Sequence, residues 1–169
     1  EGRGHAHELA ATAVSRGIST VVAWGGDGTM NEVASALAFT STALALVPSG
    51  SGNGLARELR IPFDPLEALG LALRGADRVI DAGDIDGRLF FNIAGVGLDA
   101  RVAHRFGADG GGRRGLLRYV ALTMRELRSY APEDLTITAD GVAVARRVLL
   151  VAIANGRQYG NGALIAPRA

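Results

Sequence analysis

Two glycine-rich loops, each set between an apolar run and a helix-like segment, constrain the fold of this chain more than any other feature. Thr20 to Trp24 reads as a short buried strand leading into Gly25-Gly26-Asp27-Gly28, and Thr29 to Ala38 then reads as a helix through Met30, Val33 and Leu37. Ala43 to Val47 is a second buried strand. After Pro48 comes a second loop, Ser49 to Asn53, then a short helix at Gly54 to Leu59 that Pro62 ends. Strand, loop, helix, strand is a βαβ unit. Two such loops on neighbouring parallel strands share one sheet edge, which is where open α/β sheets take their ligands.

The flanking segments extend this pattern. His5 to Ser15 spaces Leu9, Ala13 and Val14 as a helix face that Gly17 can cap. Asp64 as N-cap, Pro65 at N1 and Glu67 at N3 predict a helix running to Arg74 and stopping at Gly75. From Arg78 the texture changes. Arg78 to Ile85 and Arg88 to Ala94 are strand-like and joined by Asp86-Gly87, a strong hairpin signal. Asp134 to Ala139 turns at Asp140-Gly141 and returns through Val142 to Ala154 as another hairpin. Between them the pattern predicts a short helix at Asp99 to Phe106, a flexible Gly107 to Gly112 segment and an amphipathic helix from about Gly115 to Ser129. The expected organisation is an incomplete Rossmann-like α/β domain over residues 1–76. An incomplete, antiparallel β-rich, sandwich-like domain with a helical insertion follows over 77–169.

Composition narrows the chemistry. The 169 residues have a soluble globular composition, and their longest apolar run, Val148 to Ala154, falls far short of a membrane span. Cysteine is absent, which excludes thiolate zinc sites and a cysteine nucleophile and fits a cytoplasmic location. All 18 basic residues are arginine, so a Walker-type lysine loop, a Schiff base and a lysine base are excluded. The net charge of +1 gives no general attraction to nucleic acid, and none is expected as a partner.

In the first loop, glycines let backbone N–H groups approach phosphates, and the following helix N-terminus favours anions. Asp27 would repel a phosphate unless a divalent cation lies between them or the carboxylate takes a proton from an attacking hydroxyl; both suit phosphoryl transfer. Thr29 can cap the helix or bind a phosphate oxygen. The plainer alternative is a glycine turn with an Asp cap. The second loop offers Ser and Asn side chains to a nucleotide or a metal-bound water, its plainer alternative being a flexible loop with Asn53 as N-cap.

The segments GGDGTMNEV and PSGSGNGLARELRIP together resemble the catalytic domain of the diacylglycerol kinase and sphingosine kinase family of lipid kinases. Phe91 to Ala100 resembles the same family's substrate-side motif. The resemblance implies ATP and Mg²⁺ as cofactors and a lipid at a membrane surface as acceptor. Gly25, Gly26, Gly28 and Thr29 would lie near the ATP phosphates, and Asp27 would be base or Mg²⁺-linked carboxylate. Asn31 and Glu32 extend the first motif, although a Glu in a first helical turn is also a routine dipole partner. Ser49, Gly50, Ser51, Gly52 and Asn53 match the second nucleotide loop. Asp99 matches the acidic position facing the substrate head group in sphingosine kinases, so it orients the acceptor hydroxyl or caps the helix that follows. Family members usually begin with a further strand and an Asn-Pro loop upstream of Glu1 and continue past Tyr159-Gly160-Asn161-Gly162 into acidic motifs, so only part of the family unit is expected here. Soluble NAD kinases and phosphofructokinases share the first motif and are the alternative, as is a nucleotide-binding module without turnover.

Arg101, Arg105, Arg113, Arg114, Arg118, Arg125 and Arg128 fall in one stretch whose only acids are Asp109 and Glu126. With no lysine available, Arg113, Arg114 or Arg118 would neutralise ATP. A membrane-facing patch and a solvated helix face fit the same charges. The three histidines have no metal-ligand spacing. Oligomeric state stays open, a homodimer included.

Overall fold

A computed structural model describes residues 2–98, 100–102, 105, 116–160, 163–164 and 166, the side chains of 116–119, 158–160 and 163–164 excepted. Contacts divide the chain into two compact units, residues 1–93 with 154–169, and residues 94–153.

The first unit opens with α1 (His5–Ser15). The Gly17 N–H reaches the Val14 carbonyl and the Ile18 N–H the Ala13 carbonyl, with Gly17 at φ 71°; this is the Schellman closure expected of that glycine. Next come β1 (Thr20–Gly25), α2 (Asp27–Leu37) and β2 (Ala43–Pro48), the two strands parallel and in register from Thr20↔Ala43 to Gly25↔Pro48. The βαβ unit is therefore present. Alternation along β1 sends Val21 and Ala23 into the core, where they meet Met30, Val33 and Leu37 of α2, Leu46 of β2, and Leu55 and Ala56. Helix α2 starts two residues earlier than expected, at Asp27, with extended Gly26 as its N-cap. Gly and Asp are poor helix formers, but tertiary packing of the apolar face outweighs that local preference.

Helices α3 (Gly54–Glu58) and α4 (Pro65–Arg74) follow. The Asp64 carboxylate accepts from the Leu66 and Glu67 N–H groups at 2.9 and 3.0 Å, fixing the start of α4 where the sequence predicts it.

The strand expected over 78–85 shrinks to β3 (Gly83–Ile85), which pairs with β4 (Arg88–Phe90) across Asp86 and Gly87, both at positive φ as a tight hairpin turn requires. Before it, the Asp81 carbonyl is taken by the Asn155 side chain rather than by a neighbouring strand. The run expected over 88–94 also breaks. Asn92 turns its carbonyl to the Asn155 and Gly156 N–H groups, and β5 (Ile93–Gly97) begins only after it.

In the second unit Leu98, Ala100 to Val102 and Arg105 are helical, and α5 (Leu116–Ser129) realises the expected amphipathic helix. The expected Gly107 to Gly112 segment lies outside the described residues. Strands β6 (Glu133–Ala139) and β7 (Val142–Val148) form a hairpin over Asp140-Gly141. The long return strand is divided at Leu149, whose carbonyl accepts from the Leu98 N–H. Beyond it β8 (Leu150–Ala154) changes partner and pairs with β5. Leu98, Val102 and Leu122 form a small core against Tyr130. Finally, β9 (Gln158–Gly160) and β10 (Ala163–Leu164) pair antiparallel. The architecture is mixed α/β, with a parallel βαβ start and antiparallel β structure after it. Among the described residues no helix is long and apolar enough to cross a membrane.

Candidate active site

Parallel pairing of β1 and β2 brings their C-terminal ends level, and the Ser49 N–H donates to the Gly25 carbonyl at 2.9 Å. Both glycine loops therefore leave the sheet side by side. They touch backbone to backbone: a Cβ built on Gly50 would stand 2.5 Å from the Gly26 Cα, and one on Gly26 3.1 Å from the Gly50 Cα. Only a pair of glycines permits this approach, because a Cβ on Gly50 would meet main chain, which cannot swing aside.

Asp27 is the first residue of α2, and its carboxylate is exposed. It makes no capping bond, so the Asp-cap alternative is corrected: Gly26 holds the cap position. Asp27 instead reaches over the second loop, with Oδ2 2.8 Å from where a Cβ on Gly52 would stand. Gly28 is exposed beside it. Thr29 makes no capping bond either, and its side chain folds back on Gly25.

In the second loop Ser49 and Ser51 are exposed, whereas Asn53 is only 3% exposed. Asn53 occupies the N-cap position of α3 in a left-handed conformation, but its side chain does not cap the helix. Oδ1 accepts from the Gly50 N–H at 2.9 Å, and Nδ2 donates to the Gly50 carbonyl at 2.7 Å. The side chain thus closes the loop on itself, satisfying both ends of a buried carboxamide. Arg57 adds a second brace. Its Nε donates to the Gly52 carbonyl at 3.1 Å, and its guanidinium lies 4.5 Å from the centre of the Phe63 ring.

Other sequence-selected residues are engaged elsewhere. Asn31 donates to the Leu89 carbonyl of β4, and Glu32 accepts from the Gly4 N–H at the start of α1. Because α2 begins at Asp27, Glu32 lies beyond the first turn, and the dipole-partner alternative for it falls away. Asp99, Arg113 and Arg114 lie outside the described residues, as does the side chain of Arg118.

Sequence reasoning assigned no role to Asn92, Gly54, Gly156 or Arg57. The Asn92 carboxamide lies between two buried glycines, with Nδ2 2.5 Å from a Cβ placed on Gly54 and Oδ1 2.6 Å from one placed on Gly156. The same Gly54 position is 3.7 Å from Asp27 Oδ1, so Asn92 and Asp27 approach the start of α3 together. Glu58 of α3 accepts from both the Arg157 N–H and Nε, tying the helix to the segment that carries Gly156. Asn92 lies inside a recognised motif, but its role depends on a glycine over sixty residues away (156 − 92 = 64). No local pattern signals that pairing.

Among the described residues no three His, Asp or Glu side chains cluster to hold a metal. Asp27 places one carboxylate at the surface of the two loops. That suits Mg²⁺, which is commonly held by one or two carboxylates together with substrate phosphates rather than by an all-protein cage.

Side-by-side loops at the ends of parallel strands, with a carboxylate opening the helix behind the first, form one loop edge of an α/β sheet. The diacylglycerol kinase catalytic domain model matches residues 1–85, and the YegS C-terminal NAD kinase beta sandwich-like domain model matches residues 92–169. The chain belongs to the diacylglycerol kinase catalytic domain family. It is 34% identical over 168 residues to a Pseudomonas putida protein named "Probable lipid kinase YegS-like", covering 98% of this chain and 57% of that one. A Pseudomonas aeruginosa protein of the same name is 36% identical over 176 residues, covering 98% of this chain and 55% of the relative. The crystal structure of a diacylglycerol kinase from Bacillus anthracis superposes with a TM-score of 0.71 at 27% identity, covering 98% of this chain and 54% of that one. The chain thus spans little more than half the length of these relatives.

Proposed function

We propose that this chain carries the nucleotide loops of an ATP-dependent lipid kinase that transfers the γ-phosphate of MgATP to a hydroxyl of a lipid such as diacylglycerol. The observation that carries the reading is the backbone contact of Gly26 with Gly50, beside the exposed Asp27 carboxylate. It makes one surface of two loops, and the family to which the chain belongs supports the same reading.

In this proposal the two loops offer backbone N–H groups to the nucleotide phosphates, and α2 directs its positive end at them. The acceptor hydroxyl oxygen bonds to the γ-phosphorus as the bond to the β-phosphate bridging oxygen breaks, releasing ADP. The hydroxyl proton passes to Asp27 or, if Asp27 holds Mg²⁺, to solvent. Mg²⁺ supplies charge neutralisation on the transferring group. Asp99 orients the acceptor hydroxyl, and Arg113 and Arg114 meet ATP. Asn53, Ser49 and Ser51 belong to the nucleotide side, Asn31 and Glu32 to its rim. Residues 1–76 form the ATP-binding part and 77–169 the substrate-facing part. The location is cytoplasmic and peripheral to a membrane, the product a phospholipid.

The test is γ-phosphate transfer from MgATP to a panel of diacylglycerol, a sphingoid base, NAD and a sugar phosphate. NAD is included because the C-terminal match bears NAD kinase in its description. Labelled lipid is the expected product, and labelled NAD or sugar would contradict the proposal. Asp27→Asn should lower turnover by about a thousandfold with nucleotide affinity changed little. Partial recovery at raised Mg²⁺ identifies a metal ligand, and no recovery identifies the base.

A further inference from the structure

The Asn92 side chain sits where three separate parts of the first unit meet. Its carboxamide lies between Gly54, the first residue of α3, and Gly156, and both glycines are buried. Main chain already ties these segments together: the Asn92 carbonyl accepts from the Asn155 N–H at 2.8 Å and from the Gly156 N–H at 3.1 Å. Glu58 of α3 adds its two bonds from Arg157. The join therefore does not need the carboxamide, whose place against two glycines calls for another reason.

That reason lies with Asp27. The point that a methyl group on Gly54 would fill is 2.5 Å from Asn92 Nδ2 and 3.7 Å from Asp27 Oδ1, so the two groups converge on one space. The nitrogen of the carboxamide is on the carboxylate's side, where an oxygen would set two acceptors against each other. The second carboxylate oxygen, Oδ2, lies over the other loop, 2.8 Å from the Cβ position of Gly52. Gly52 and Gly54 thus form a floor under the carboxylate, and Asn92 stands at one end of it. Among the described residues no arginine forms an ion pair with Asp27, so charge pairing does not set the way the carboxylate turns.

We infer that Asn92 is a positioning residue for Asp27: its Nδ2 donates to the Oδ1 edge of the carboxylate and leaves Oδ2 turned toward the second loop. A turn of the exposed carboxylate about its own side-chain bonds brings Oδ1 to the donor. Holding one oxygen removes rotational freedom before the reaction, which is how a supporting shell raises turnover without touching substrate. Gly54 is then glycine because a methyl group there would push the carboxamide away from the carboxylate. The inference deepens the lipid-kinase reading and rests on it only for the turnover measurements.

The first test needs no turnover. In the ¹⁵N-labelled chain the side-chain amide pair of Asn92, assigned by its loss in Asn92→Ala, should shift in Asp27→Asn while the backbone amides of Asn155 and Gly156 stay in place. The second test is a double-mutant cycle on phosphate transfer to diacylglycerol. Asn92→Ala alone should lower kcat about ten- to hundredfold, the scale of one hydrogen bond to a charged group, with KM for ATP within about twofold. Added to Asp27→Asn, the same change should cost almost nothing more. Gly54→Ala separates the pair without removing either group. Its methyl meets the tip of a flexible side chain and alanine is the better helix former, so the fold is kept and the kcat loss of Asn92→Ala should recur. Asn92 signals that ignore Asp27→Asn would overturn the inference, as would an equal kcat loss in both backgrounds, the mark of a packing role. Coupled signals without phosphate transfer defeat only the kinase reading. Transfer with uncoupled signals defeats only the role of Asn92.

Discussion

The glycine loops and the Glu126 cluster shape their surfaces in opposite ways. In the loops the shape comes from missing side chains: Gly26 and Gly50 touch through main chain, and the one buried polar group, Asn53, bonds within three residues of itself. Around Glu126 the shape comes from long side chains. One buried carboxylate gathers Arg101 from 25 residues away and Arg105 from 21. A site built from backbone is set by local sequence and tolerates no added atom. A cluster built from ion pairs tolerates changes in shape but depends on charge balance.

The strongest way to break that contrast is Gly50→Ala. A methyl group 2.5 Å from the Gly26 Cα forces the loops apart, so nucleotide affinity should fall by at least about tenfold and stability by about 2–4 kcal/mol. Calorimetric titration with MgATP and thermal unfolding read the two effects. An unchanged affinity would show that the loops need not touch. Glu126→Ala addresses the other region. Removing the carboxylate leaves Arg101, Arg105 and Arg125 without the acid they share, at a cost of about 2–3 kcal/mol, seen in urea unfolding of the second unit. Nucleotide affinity should stay unchanged, and a parallel loss would end the separation drawn here. The smallest effect belongs to Arg57→Ala. It removes one bond to the Gly52 carbonyl and one ring contact, so affinity for MgATP should fall about two- to fivefold with turnover preserved.

The contrast also explains what was legible beforehand. The loops, the Asp64 cap and the hairpins at Asp86-Gly87 and Asp140-Gly141 could be read because each depends on residues within a few positions, where glycine and capping rules act directly. The expected start of α2 falls two residues late because Gly28 in the first turn argues against a helix that packing nevertheless forms. For Asn53 of the second nucleotide loop a helix cap is the plainer alternative, being the commonest task of Asn before a helix. Closure onto Gly50 requires the left-handed backbone that the sequence does not declare. The neighbours of Asn92 are not legible in the sequence because Gly54 and Gly156 reach it from distant parts of the chain. The long strands expected over 78–85 and 142–154 shortened where carbonyls of Asp81 and Leu149 found partners outside the ladder. Apolar runs predict strand character but not the points at which pairing changes hands.

The central claim is that the two loops act as one nucleotide surface. The most direct measurement is a backbone amide NMR titration of the ¹⁵N-labelled chain with MgATP. The account predicts that the amides of Gly25 to Thr29 and of Ser49 to Asn53 shift together along one saturation curve. Shifts confined to one loop, or concentrated outside both, would contradict it.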